Sequence, residues 1–110
     1  MSLITEIRAK IAQGINLSEH AAQRGIDRDI NADDILNAIR TGEVIEDYPR
    51  DKYGPSCLIL GTTRTGRPLH VQCSYPTRPV LKIITVYEPD PELWIRLKLR
   101  RSVEDAEPGE

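Results

Sequence analysis

The sequence has no phenylalanine, one tryptophan (Trp94) and one methionine, and aromatic residues make up 5% of its 110 positions. A core for this chain must therefore be built from Ile, Leu and Val, with four tyrosines as its remaining large rings. No apolar run approaches the roughly eighteen residues of a membrane span, and Glu6, Arg8 and Lys10 interrupt the amino-terminal stretch where a signal peptide would be apolar. Cysteine is scarce as well. Cys57 and Cys73 lie inside apolar, strand-like runs, not at the spacings of a secreted disulfide scaffold, so a soluble protein of the reducing cytoplasm is expected. A large excess of either charge is also missing: 15 basic against 17 acidic residues give a net charge of −2, which excludes a protein that coats nucleic acid indiscriminately.

What is present is one domain's worth of chain. With 39% hydrophobic and 29% charged residues, the composition excludes disordered and collagen-like classes, and a chain of this length buries roughly two-thirds of its extended surface on folding. Residues 1–101 are expected to form a single domain, and residues 102–110, carrying Glu104, Asp105, Glu107 and Glu110, an acidic disordered tail. The charge is unevenly placed. From Lys52 to Tyr87 there is no Asp or Glu, while Lys52, Arg64, Arg67, Arg78 and Lys82 all occur there together with His70.

Helical patterning fills the first forty or so residues. Leu3, Ile7 and Ile11 recur four apart up to Gly14; Ser18 can cap a short second helix with His20 in its first turn and Gly25 as its stop. Asn31 and Asp34 have the spacing of a capping box flanked by Ile30 and Ile35, and the stripe Ile35, Leu36, Ile39 runs to Gly42. Beyond Gly42 the period becomes two. Strands are expected over 44–48, 56–63, 68–74 and 80–88, the second and third joined in a hairpin at Arg64-Thr65-Gly66-Arg67 and the last one central in its sheet. Asp90 and Pro91 fit the start of a helical turn, and Ile95, Leu97 and Leu99 alternate with Arg96, Lys98 and Arg100 as a final strand with one basic face. The fold class is α+β: two or three helices, then a mostly antiparallel sheet of four to five strands.

With Thr65-Gly66 as a two-residue tip, the hairpin pairs Leu58, Leu60 and Thr62 with Cys73, Val71 and Leu69 as its core face, and sets His70 opposite Gly61 on the other. A glycine across from a histidine reads either as a pocket floor or as a bulge beside a surface histidine. The same register puts Cys57 and Cys73 on opposite faces, which argues against a disulfide; with no C-x-x-C or H-x-x-x-H pair, neither a metal nor any other cofactor is expected. His20 and Arg24, four apart, share one helix face and can address one anion, or they form a solvated face. If the 80–88 strand adds beside His70 with the right register, Thr85 faces His70 and Tyr87 faces Pro68; a slip moves both away. Arg96, Lys98, Arg100 and Arg101 read as a charge-protected edge or as phosphate contacts.

In order along the chain stand S-E-H-A-A-Q-R-G-I, G-E-V-I-E-D-Y-P, C-L-I-L-G, R-P-L-H-V and I-T-V-Y-E-P-D-P-E-L-W. Over Leu17 to Trp94 these motifs resemble the prokaryotic domain-of-unknown-function family 4258. The resemblance implies a RelE/ParE toxin-like fold, a site drawn from His20, Arg24, His70, Thr85 and Tyr87, and toxin–antitoxin biology in which the partner is RNA, an antitoxin or another protein. RelE-like members cut RNA and ParE-like members bind a protein, so the fold leaves both functions open. As an endoribonuclease the chain would use the RNA 2′-hydroxyl as nucleophile without a metal, with His20 and His70 exchanging protons, Arg24 holding the phosphate, Tyr87 orienting it, and Arg64, Arg67, Lys82, Arg96 and Lys98 contacting the RNA. As a non-catalytic module it would use the same cationic surface to bind a partner.

Overall fold

The computed structural model describes residues 2–100; the expected domain end at Arg101 and the acidic tail 102–110 lie outside the described residues. Helix α1 (Leu3–Lys10) passes through a 3-10 turn (Ile11–Gln13) into a short strand β1 (Ile15–Leu17), followed by α2 (Glu19–Arg28) and α3 (Ala32–Thr41). Strands β2 (Glu43–Tyr48), β3 (Ser56–Thr62), β4 (Pro68–Ser74) and β5 (Leu81–Tyr87) complete a five-stranded sheet in the order β1-β5-β4-β3-β2. Only β1 pairs in parallel, with β5. A two-stranded ribbon, β6 (Trp94–Ile95) and β7 (Leu99–Arg100), ends the described chain. None of the described helices is long and apolar enough to cross a membrane.

The helix boundaries follow from side chains that satisfy first-turn amides. Ser18 Oγ accepts from Ala21 N at 3.0 Å, and Asn31 and Asp34 exchange the two bonds of a capping box. The second stop differs from expectation. Gly25 lies inside α2, where a Cβ would come within 2.6 Å of the Ile30 carbonyl oxygen; the helix ends instead at Asp29 in the left-handed conformation (φ 55°). The glycine is required for the tight approach of the next segment, whose Ile30 N donates to Gly25 O at 2.8 Å.

All three helices cover one face of the sheet. Ile7, Ala21, Ile35, Ala38 and Ile39 pack on Cys57, Ile59, Leu69, Val71, Cys73, Leu81, Ile83 and Val86 in a single aliphatic core. This face assignment corrects the expected hairpin register by one. The β3–β4 loop has three residues, Arg64-Thr65-Gly66, closed by a bond from Thr63 N to Arg67 O at 2.9 Å, and Gly66 takes the left-handed φ (90°) that such loops need. An odd loop shifts the pairing so that Leu60 opposes His70 and Gly61 opposes Leu69. Gly61 is thus on the helix side, where a Cβ would lie 1.9 Å from the Ala38 carbonyl oxygen; its absence of side chain lets α3 approach the sheet and forms no pocket with His70. Cys57 and Cys73 become direct partners on the buried face, as free thiols with sulfurs 3.9 Å apart.

The β4–β5 register also differs. Tyr87, not Thr85, stands opposite His70, and Thr85 opposes Gln72. A bulge at Ile84 breaks the alternation, so that Ile83 and Val86 both reach the core while Thr85 and Tyr87 turn to the open face. Ser18 secures this irregularity: its N–H donates to Ile83 O at 3.0 Å and its hydroxyl to Ile84 O at 2.7 Å.

The expected last strand is a hairpin. Arg96 and Leu97 turn the chain with φ of 53° and 65°, and Lys98 N closes the turn on Ile95 O at 3.0 Å. The segment after Asp90 is a hydrogen-bonded turn, in which Leu93 N and Trp94 N both reach Asp90 O. Together these bends lay the ribbon over the open face of the sheet at His70.

Candidate functional site

The open face is divided along β4 and β5 into a covered half and a cleft. At the covered half His70 is completely buried, with the Trp94 and Tyr87 rings set edge-on to it at centroid distances of 4.5 and 5.2 Å. Its Nε2 lies 2.6 Å from the Leu97 carbonyl, which can only accept, so Nε2 carries the proton and Nδ1 accepts from the Tyr87 hydroxyl at 3.2 Å. Burial lowers the His70 pKa, outweighing the Leu97 bond that raises it. The result is a neutral imidazole with both nitrogens engaged. Burial raises the Tyr87 phenol. Around them Arg100 stacks on Trp94 at 4.6 Å and pairs with Glu46 at 3.2 Å, and Lys98 pairs with Glu43 at 2.7 Å.

At the other half, a cleft of about 390 Å³ opens between the start of α2, the 49–55 loop and the ends of β4 and β5. Its walls include His20, Asp51, Tyr53, Gln72, Arg78 and Lys82. The local sequence explains each placement. The Ser18 cap brings the first turn of α2 against the Ile84 bulge, which sets His20 at the sheet edge. Asp51 holds its loop by accepting from Tyr53 N at 3.1 Å. Lys82 projects from β5 on the open face, and its N–H is fixed by Ser74 Oγ at 3.0 Å. Among the described residues, neither Arg78 nor Lys82 belongs to an ion pair. Two cations and an imidazole thus surround a space holding one carboxylate.

The residues singled out from sequence divide accordingly. His20 and Lys82 meet in the cleft; Arg24, one turn further along α2, is half-buried and does not line it. His70 and Tyr87 meet each other under the ribbon, and Thr85 stands beside Gln72 on the same face. His20 and His70 are not brought together as an acid–base pair. The other cations maintain the fold. Arg64 binds Asp34 through Nε at 3.3 Å and approaches Asp33 at 3.8 Å. Burial raises the Asp34 carboxyl, and the bonds from Asn31 and Arg64 more than reverse this, leaving it below its ordinary value. Arg67 donates to Arg28 O and Asp29 O at the end of α2 and pairs with Glu88 at 2.5 Å. Lys98 is paired in the ribbon, and Arg96 is exposed at its turn.

Asp51, Tyr53 and Arg78 were not recognisable as site residues from spacing. One signal was available: the acid-free segment begins next to Asp51, and Arg78 and Lys82 both lie within it. Among the described residues, no group of three or more His, Cys, Asp or Glu side chains is placed to hold a metal ion.

A family model described as Domain of unknown function (DUF4258) matches residues 17–88. No curated protein and no solved structure matches the chain. The matched span contains α2, α3 and β2 to β5, and with them the whole cleft; it stops before the β6–β7 ribbon that covers His70.

Proposed function

The chain belongs to the DUF4258 family, and we propose that it acts as a metal-independent endoribonuclease whose phosphodiester site is the His20 cleft. The observation that carries this reading is the lining itself: an imidazole, a carboxylate and two cations without an ion pair among the described residues, around one space of nucleotide dimensions. Cleavage through the 2′-hydroxyl needs a proton acceptor, a proton donor and positive charge at the phosphate. Asp51 accepts the 2′-hydroxyl proton as that oxygen attacks phosphorus. Protonated His20 donates to the departing 5′-oxygen, leaving a 2′,3′-cyclic phosphate and a 5′-hydroxyl. Arg78 and Lys82 hold the non-bridging oxygens as charge builds on them. A RelE/ParE-like architecture is part of the same reading, supported by the helices-on-one-face layout of the sheet. His70 takes no part in proton transfer here, because its two nitrogens are bonded within the fold.

One observation favours binding without cleavage: a single imidazole lines the cleft. Incubation of the purified chain with single-stranded RNA in excess chelator separates the two readings. Cleavage to cyclic phosphate ends is expected, reduced about a hundredfold or more in His20→Ala, in line with the loss of a proton-transfer group. Binding without any product would favour the module, and cleavage that needs added metal, or that His20→Ala leaves intact, would sink the nuclease mechanism.

A further inference from the structure

Three of the four tyrosines have engaged hydroxyls: Tyr48 donates to Glu46, Tyr75 to Asp47 at 2.5 Å, and Tyr87 to His70 at 3.2 Å. Tyr53 differs from them. Among the described residues its hydroxyl has no partner, and the residue is 79% exposed. In a chain this poor in aromatics, a ring left in water contributes little to the core, so packing does not account for its place.

Its backbone, in contrast, is firmly held. Asp51 N donates to Tyr48 O, Gly54 N to Asp51 O at 2.9 Å, and Tyr53 N to the Asp51 carboxylate. Gly54 takes a φ of 110°, open to glycine, and Pro55 O accepts from Tyr75 N at 3.0 Å, anchoring the loop's end to β4's exit. A fixed loop therefore presents an exposed ring on the wall of the cleft that Arg78, Lys82 and His20 make cationic. The Lys52 ammonium lies over one face of the ring, 5.0 Å from its centroid.

We propose that Tyr53 is a stacking platform for an unpaired RNA base whose adjoining phosphate lies between Arg78, Lys82 and His20, so that the substrate class is single-stranded RNA. This rests on the reading of the cleft as a phosphodiester site. Bases inside a duplex are stacked on their neighbours, and the grooves of A-form RNA offer no free ring face; an unpaired base is free to lie on an aromatic side chain. Stacking of this kind tolerates any base, so Tyr53 selects strandedness and not sequence. A cleft of about 390 Å³ accommodates one nucleotide and not a helix.

The test is a set of equilibrium titrations with His20→Ala protein as the non-cleaving background, using three probes: a single-stranded RNA oligonucleotide, the same strand annealed to its complement, and inorganic phosphate. The single strand is expected to bind more tightly than the duplex. Adding Tyr53→Leu should weaken the single strand about tenfold, as loss of one stacked base does, leave phosphate binding unchanged, and be rescued by Tyr53→Trp. Lys82→Glu should weaken all three probes. If Tyr53→Leu binds the single strand as tightly as its parent while Lys82→Glu weakens it, the stacking platform is overturned and the phosphodiester site stands. If neither phosphate nor RNA binds and Lys82→Glu changes nothing, both are overturned.

Discussion

His70 and the two cysteines show how burial and hydrogen bonding together fix chemical state. Because burial lowers the His70 pKa below 6.5, the unfolded chain binds more protons than the folded one between those two values. Stability is then level above about pH 6.5 and falls as pH drops through that window. The melting temperature should follow this slope, and a His70→Gln variant should lose it, though less stable at neutral pH. Asp34 acts in a separate range. Its pKa lies below 3.8, so the stability it supplies is present above that value and disappears only as pH falls through the lower, folded pKa. The thiols offer a second check. Mutual hydrogen bonding with Cys57, then burial, pushes the Cys73 thiol up, and both cysteines are fully buried. A chromogenic disulfide reagent should find no reactive thiol in the native protein at neutral pH and both after unfolding; reaction in the native state would contradict the β3–β4 register.

At the level of elements, close approach between α3 and the sheet depends on Gly61. Gly61→Ala places a Cβ against the Ala38 carbonyl and forces the helix outward, an overpacking that costs about 1–3 kcal/mol or more and lowers the melting temperature by roughly ten degrees. An unchanged melting temperature would show that the approach is looser than described. Asn31→Ala, which removes half of a capping box, should cost about 1 kcal/mol. The caps were legible in the sequence because their physics is local: Ser18, Asn31 and Asp34 each act within three residues. Register was not, because it depends on single-residue events. A two-residue and a three-residue loop at Arg64-Thr65-Gly66 look alike in composition, yet they place His70 against Gly61 or against Leu60. Likewise the run Leu81 to Tyr87 carries no mark of the bulge at Ile84. The alternation at Ile95, Leu97 and Leu99 also reads as a strand, but cover for the open face requires Trp94 and Leu97 to fold back onto His70. That requirement is tertiary and overrides the local pattern.

In the whole molecule, an acidic net charge coexists with a local cationic cleft, and among the described residues Arg64, Arg67, Lys98 and Arg100, all outside it, are paired with Asp34, Glu88, Glu43 and Glu46. Because Arg78 and Lys82 are the Lys and Arg side chains that line the cleft, binding of RNA there should be weak in its salt dependence. With two phosphate-directed cations, the logarithm of affinity should fall with the logarithm of salt at a slope of about −1.4. A slope several times steeper would show that the cations of the ribbon or hairpin loop take part. The same distribution explains why the acid-free stretch from Lys52 to Tyr87 announced a cationic region without locating it: Arg64 and Arg67 are tied to the helices and Lys52 lies over the Tyr53 ring, while Arg78 and Lys82 line the cleft. The central claim, that the site is the His20 cleft and not the His70 pair, is tested most directly by following the ring signals of the two histidines by NMR as a 3′-nucleotide monophosphate is added. The account predicts that His20 shifts saturably, that Lys82→Glu abolishes the shift, and that His70 stays unmoved beneath Trp94. A shift confined to His70, or none at His20 with millimolar nucleotide, would contradict it.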